Sequence, residues 1–331
     1  MYFLLGAALT LAFLLIVNMA AAVFASMLWH FIASPVRKLS VATRAKVIFG
    51  LRIFPVVAAL VFVLAFVMPA YLILEPTDSG EVVSAKLTLI AGLCLIGVCV
   101  ALLRVFKTWL VTHRLMANWL ANSTAVVVDG VSLPIHRIEH AFPVLAVVGI
   151  LRPRIFVAEK VLSSLSPEEL RAAIAHEYGH LRARDNLKRT LLRVCRDLVM
   201  IPVGKGLDLA WAQNAEVVAD EFAAVEGNVE ALDLASALVK LTRIVPDGAA
   251  PTLPVGAYII TDREGDISSR IRRLLRLSDR RPRPRKARLS LIGHSFLWVV
   301  TAAGLLTLHL ADQRLLLTTH DAIERFVWLI R

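Results

Sequence analysis

The sequence predicts an α-helical membrane protein carrying one soluble, mainly helical α+β domain. Three observations lead there. Of 331 residues, 57% are apolar and 19% charged, with a mean hydropathy of +0.68. A soluble domain averages about 45–50% apolar, and a disordered chain is far more polar. Second, four apolar runs are each long enough to span a bilayer. Third, between the third and fourth runs lies a long stretch of mixed strand-like and helix-like patterning. Four spans need only about 80 residues, which leaves ample chain for a domain with its own core.

The first run, Tyr2 to Trp29, has Asn18 as its only strongly polar residue. Ala20 to Ala22 looks like a signal-peptide cleavage site. However, no basic segment precedes the run, it is too long, and further spans follow, so it reads as a retained helix. The second and third runs are Ile53 to Leu74 and Leu87 to Phe106, and the fourth is Leu289 to Ala311. No internal repeats are visible. The chain thus divides into a three-helix membrane region (1–106), a soluble domain (107–288), a fourth span (289–311) and a tail (312–331).

Loop charges set the orientation. Arg37, Lys38, Arg44, Lys46 and Arg52 lie between runs one and two, with no acid among them. Glu75, Asp78 and Glu81 follow run two, with no base before Lys86. Arg104, Lys107 and Arg114 follow at the end of run three, and an arginine cluster precedes run four. The positive-inside rule then places the N-terminus outside, residues 107–288 in the cytoplasm and the C-terminus outside. The expected location is a bacterial inner (cytoplasmic) membrane. The tail is amphipathic, with Leu315 to Leu317 and Phe326 to Ile330 apolar, and reads as an interfacial helix on the outer face.

The net charge of +11 is concentrated between Arg270 and Arg288, where ten Lys/Arg face one acid, Asp279. Nucleic-acid binding is not expected, because no aromatic residues are interleaved for base stacking. An anchor on anionic lipid fits better. Cys94, Cys99 and Cys195 have no metal-ligand spacing and read as reduced thiols.

In the soluble domain, Ala125 to Val128, Val144 to Ile150 and Ile155 to Ala158 have strand character. Ser166-Pro167-Glu168-Glu169 combines an N-cap, Pro at N1 and Glu at N3. The helix it opens should run to about Ala183. A polar turn, Arg184-Asp185-Asn186, leads into a helix over 187–203. Further helices are expected over 207–225, 229–244 and 267–277, with an irregular loop over 246–266.

The capped helix contains His176-Glu177-Tyr178-Gly179-His180, an H-E-x-x-H pattern. Histidines four apart share a helical face, so both imidazoles can reach one ion. Glu177 can take a proton from a water at a zinc ion and pass it to a leaving amine. Catalytic zinc needs a third protein ligand. Glu216 and Asp220 are four apart in a later predicted helix. Glu216 is assigned as the zinc ligand, and Asp220 as the partner that orients a ligand histidine. Glu221 points elsewhere.

His136-Arg137-Ile138-Glu139-His140 is the inverted pattern, H-x-x-E-H. Pro134 and Pro143 flank it, so a stable helix has little room, and it reads as a polar connector between strands. His30, His113, His294, His309 and His320 stand alone.

With these residues in place, the chain resembles the integral-membrane gluzincin peptidases, best the BlaR/MecR antirepressor sensor group. The resemblance covers about Phe142 to Asp220. It includes Gly149-Ile150-Leu151-Arg152-Pro153-Arg154-Ile155, Leu165 to Leu170, His176 to His180, Arg182 to Leu187, Trp211, and Glu216 to Asp220. The chain is also similar to the HtpX and CAAX-processing membrane peptidases, through Glu216-x-x-Ala219-Asp220 and Arg270-Ile271. Span placement favours the sensor group. Both resemblances imply a gluzincin-type fold, zinc on His176, His180 and Glu216, and Glu177 as the base.

The expected function is therefore zinc-dependent endoproteolysis of a cytoplasmic or membrane-adjacent protein. The resemblance suggests a repressor in regulated signalling. No penicillin-binding domain follows the fourth span, so an external or membrane sensor partner is expected to deliver the signal. The alternatives are quality-control proteolysis of the HtpX kind and a non-catalytic zinc-fold scaffold. Three further expectations are open. Ile155 to Ala158 could hold substrate by strand addition, and the 246–266 loop could gate the cleft or be cut. Arg182, Arg184 and Tyr258 are all candidates for stabilising the oxyanion.

Overall fold

The computed structural model describes residues 1–76, 83–128, 134–199, 203–225, 229–244, 264–278 and 313–329. They belong to two compact units. The first contains Met1–Leu103, Leu192–Ala210 and the described part of Ala287–Arg331, and the second contains Arg104–Leu191 and Trp211–Lys286.

In the first unit, α1 (Tyr2–Arg37) is joined through Ser40, an N-cap, to α2 (Val41–Phe62). A π-turn (Val63–Val67) continues α2 into α3 (Met68–Leu74). Helix α4 (Ala85–Ala121) follows and belongs to the second unit from Arg104 onward. Tyr2–Arg37, Val41–Leu74 and Ala85–Ala121 are each long and apolar enough to cross a membrane. These helices extend beyond the apolar runs, because hydropathy marks the lipid-facing length and not where backbone hydrogen bonding stops. The expected fourth span, 289–311, lies outside the described residues.

Large apolar side chains face outward along these helices, among them Phe3 (83% exposed), Phe31 (80%) and Leu89 (65%). That surface suits lipid. Inward, Leu5, Leu9, Val63, Val67, Tyr71 and Leu87 form a core. Tyr71 donates its hydroxyl to the Tyr2 carbonyl at 2.6 Å. Helix α11 (Gln313–Leu329) adds Ile323 and Val327 to this core. The tail is therefore a helix, and it packs on the bundle.

The second unit holds a four-stranded sheet: β1 (Ser123–Val126), β2 (Ile135–Ile138), β3 (Leu145–Val148) and β4 (Arg154–Ala158). Its order is β1-β2-β4-β3. The β2–β4 pair is parallel and the two outer pairs are antiparallel. Strand β2 corrects the reading of this segment as a connector. Ile135 and Ile138 are buried while His136 and Arg137 are not, so the four residues do not alternate and their strand character is hidden. Strand β4 is paired on both sides, so it offers no edge for an added substrate strand. The edges are β1 and β3. Gly149 ends β3 at φ +115°, where a side chain would meet the Arg152 and Pro153 backbone.

The helices of this unit are α5 (Glu159–Leu162), α6 (Pro167–Ala183), α7 (Asp185–Val199), α8 (Lys205–Val225), α9 (Ala231–Ile244) and α10 (Glu264–Ser278). Helices α7 and α8 each lie partly in the first unit. The 246–266 loop lies outside the described residues up to 263, and 264–266 open α10. One core joins the sheet to Trp119, Ile174, Ala237 and Leu241. A second joins Ala172, Ala223, Leu234, Leu238 and Leu274.

The capping box forms as the sequence predicts: the Glu169 N–H donates to Ser166 Oγ, and the Ser166 N–H donates to Glu169 Oε2. Glu169 also accepts from Ser236 Oγ at 2.6 Å and from Lys240 Nζ at 2.7 Å, which ties α6 to α9. Burial pushes its carboxyl up, but these hydrogen bonds outweigh burial and bring it to about 2. Its stabilising contribution is therefore present above its unfolded value of 4.5 and is lost as pH falls toward about 2. Glu169→Gln should cost about 1–2 kcal/mol near neutral pH. Thermal unfolding of both proteins should show the gap closing between pH 5 and pH 2. A gap that does not change with pH would refute this role.

Candidate active site

Helix α6 starts at its capping box and ends at Arg184, a non-glycine residue with φ 54°. That left-handed residue turns the chain sharply, so α7 begins at once with Asp185. His176 and His180 stand one turn apart on α6, and Glu216 and Asp220 one turn apart on α8. The two helices approach closely because Gly179 has no side chain: a Cβ there would lie 3.1 Å from the Cα of Ala219.

The sequence-predicted residues come together. Nε2 of His180 is 3.2 Å from Nε2 of His176. Oε2 of Glu216 is 3.5 Å from each of those two atoms. Zinc ligands about 2.0–2.1 Å from the metal in a tetrahedral array stand about 3.4 Å apart, so the donor set fits zinc. The Arg270 guanidinium also touches two of these atoms, with Nη1 3.3 Å from Glu216 Oε2 and Nη2 3.4 Å from His176 Nε2. Among the described residues, His176, His180 and Glu216 are the group able to share a metal ion.

Nδ1 of His180 donates to Asp185 Oδ2 at 2.8 Å, leaving Nε2 as the inward donor atom. Nδ1 of His176 lies 3.0 Å from Asp220 Oδ1, at ion-pair distance but without the alignment of a hydrogen bond. All five predicted residues are buried: His176, Glu177, His180, Glu216 and Asp220. Asp185 does more than form a polar turn. It partners a histidine five residues back, a relation that depends on the left-handed Arg184.

Two arginines complete the site, and the sequence reading missed both as site residues. Arg270 is 4% exposed. Its Nε and Nη2 donate to the two oxygens of Asp220 at 3.1 and 2.7 Å. Arg189 Nη2 donates to Glu216 Oε1 at 3.2 Å. The sequence signal for Arg270 was the resemblance of the Arg270-Ile271 pair to the HtpX kind.

The electrostatics follow from burial and these partners. Burial pushes the Glu177 carboxyl up, more than the two histidines beside it pull it down. Burial raises Glu216 too, but His180, His176 and Arg270 hold it well below the usual carboxylate range. Asp220 is held at about 2, because Arg270 and His176 outweigh burial. Burial lowers His180, but Glu216 and Asp185 carry it to about 10. His176 is raised for the same kind of reason, by Asp220 and Glu216.

The other candidates lie elsewhere. Arg182 stacks over the Phe222 ring, with its guanidinium carbon 5.3 Å from the centroid. Arg184 is the exposed C-cap of α6, and Tyr258 lies outside the described residues. In the inverted motif, His136 sits on a strand between Ser123 and Arg154. His140 Nδ1 accepts from the Phe142 N–H. Strand geometry keeps these two histidines off a common helical face.

Residues 140–243, about a third of the chain, match the sequence model of peptidase family M48. No curated protein matches the chain. The match covers the H-E-x-x-H helix and Glu216 and Asp220 of α8. With the three membrane-capable helices, it supports a membrane-type zinc metallopeptidase. It carries nothing specific to the sensor group.

Proposed function

We propose that the chain is a membrane-embedded zinc endopeptidase that cleaves a cytoplasmic or membrane-adjacent protein in regulated signalling. The observation that carries this is the convergence of His176 Nε2, His180 Nε2 and Glu216 Oε2 at 3.2–3.5 Å. His176, His180 and Glu216 would hold the metal, with Asp185 orienting His180 and Asp220 facing His176. Zinc, when bound, supplies Lewis-acid polarisation of the scissile carbonyl and lowers the pKa of the attacking water. Glu177, whose buried carboxyl is pushed up, accepts that water's proton and delivers it to the leaving amine. Burial of these groups strengthens each charge interaction.

The domain order read from the sequence belongs to this proposal: membrane region 1–106, cytoplasmic peptidase domain 107–288, fourth span 289–311 and external tail 312–331. So does the bacterial inner-membrane location. Phe326 of α11 packs on Phe13, with ring centroids 5.0 Å apart, and Ile323 shares a core with Leu5 and Tyr71, which supports placing tail and N-terminus on one side. A cytoplasmic repressor as substrate and an external or membrane sensor partner complete the reading.

Quality-control proteolysis is the alternative, favoured by Arg270, which joins the site through a residue pair shared with the HtpX kind. A non-catalytic scaffold would have no use for a buried Glu177 beside the two histidines. The test compares new protein N-termini in native membranes carrying wild type or Glu177→Ala. One or a few termini missing from the variant are expected. Many missing termini would turn the reading to quality control, and no difference would count against proteolysis.

A further inference from the structure

The two oxygens of Glu216 face different partners. Oε2 looks toward both imidazole nitrogens, 3.5 Å from each. Nη1 of Arg270 meets this same oxygen at 3.3 Å. Oε1 turns the other way, to Nη2 of Arg189 at 3.2 Å. The arginines come from different helices, α7 and α10, and their side chains are 11% and 4% exposed.

Each guanidinium is itself held in place. Arg270 is gripped through two nitrogens by Asp220, which fixes its plane. Arg189 lies over the Trp211 ring, 6.0 Å from its centroid. Cations beside a site for a dication oppose metal binding by simple Coulomb repulsion. Two of them on one carboxylate therefore call for a role besides charge.

We propose that Arg189 and Arg270 are positioning residues that clamp the Glu216 carboxylate by one oxygen each, presenting Oε2 alone to the metal. This rests on the zinc reading above. A second carboxylate oxygen on the metal would fill the coordination position that a catalytic zinc keeps open. Arg189 holds Oε1 away in a charge-assisted hydrogen bond, the strong kind. Arg270 steadies Oε2 from the side of Asp220, so Glu216 and Asp220 are fixed by one guanidinium.

The test uses the full-length protein in detergent, stripped and reloaded with cobalt(II). The visible absorption of cobalt reports coordination number, where zinc is silent. Wild type should take up one equivalent and show intense four-coordinate bands. Arg189→Gln should bind one equivalent with weaker, five-coordinate bands, because Oε1 is then free to reach the metal. Arg189→Lys, which keeps a charged donor, should recover part of the wild-type spectrum. Arg270→Gln leaves Oε1 with Arg189 and should keep the four-coordinate bands. Because it strands buried Asp220 and can unfold, the Arg189 pair carries the decision. Identical bands in wild type and Arg189→Gln would overturn the clamp and leave the zinc site standing. Failure of wild type to bind cobalt any better than His176→Ala would overturn the zinc reading, and the clamp with it.

Discussion

Glu177→Gln should retain its full zinc content and lose proteolysis by about a thousandfold, within the 10²–10⁴ typical of a positioned acid–base group. The amide matches the carboxylate in shape but cannot accept the proton of the attacking water. Glu177 is 5% exposed, and burial is the largest influence on its carboxyl, pushing it up. A raised folded pKa means that ionised Glu177 costs stability as pH rises above its unfolded value of 4.5. The variant should therefore be at least as thermostable as wild type at pH 7, although inactive. Loss of activity with gain of stability is the mark of a residue kept for chemistry. Zinc content, Tm and cleavage of the substrate identified by N-terminal mapping are the three readouts. A variant that cleaves at the wild-type rate would end the assignment of Glu177 as the base. A variant that loses its zinc would show that Glu177 acts in metal binding.

How much of this was legible before the structure depends on the range of the signal. The α6 start was legible because a capping box is local: four consecutive residues state it, and the helix opens at Pro167. His176 and His180, and Glu216 and Asp220, were legible because spacing of four fixes a common face once the helix is granted. The distance between the two pairs was not, because it depends on Gly179 meeting Ala219. Arg270 was hidden among ten basic residues between 270 and 288, and only docking of α10 on Asp220 singles it out. Asp185 was hidden because its link to His180 passes through a left-handed Arg184, a residue type that does not advertise that conformation. Strand β2 was lost because its two buried isoleucines stand three apart and face opposite sides of the sheet, so period-two patterning fails over only four residues.

Removal of the metal should lower the Tm of the wild-type chain by about 5–10 °C, and by more at pH 8 than at pH 5.5. The size follows from linkage: free zinc at a hundred times its Kd adds about 2.7 kcal/mol, and each kcal/mol moves Tm by about 2–4 °C for a domain of 150–250 residues. The pH dependence follows from the donor atoms. In the stripped site Glu216 and Asp185 hold a proton on His180, carrying it from 6.5 to about 10. A raised histidine contributes stability fully below about 6.5 and loses it as pH climbs toward about 10. Glu216 and Asp220 run the other way, contributing above their unfolded values of 4.5 and 3.8 and failing only in stronger acid. The stripped site is therefore best satisfied between about pH 4.5 and 6.5. Zinc must displace the histidine protons to bind, so its affinity rises as they become easier to remove. The two trends add, and the Tm gap between loaded and stripped protein should widen steadily from pH 5.5 to pH 8. His180→Ala should show no gap at any pH, because two donors cannot hold the ion at these concentrations. A gap that stays constant with pH, or that survives in His180→Ala, would mean that zinc binds elsewhere and that the three converging atoms are a structural ion-pair cluster.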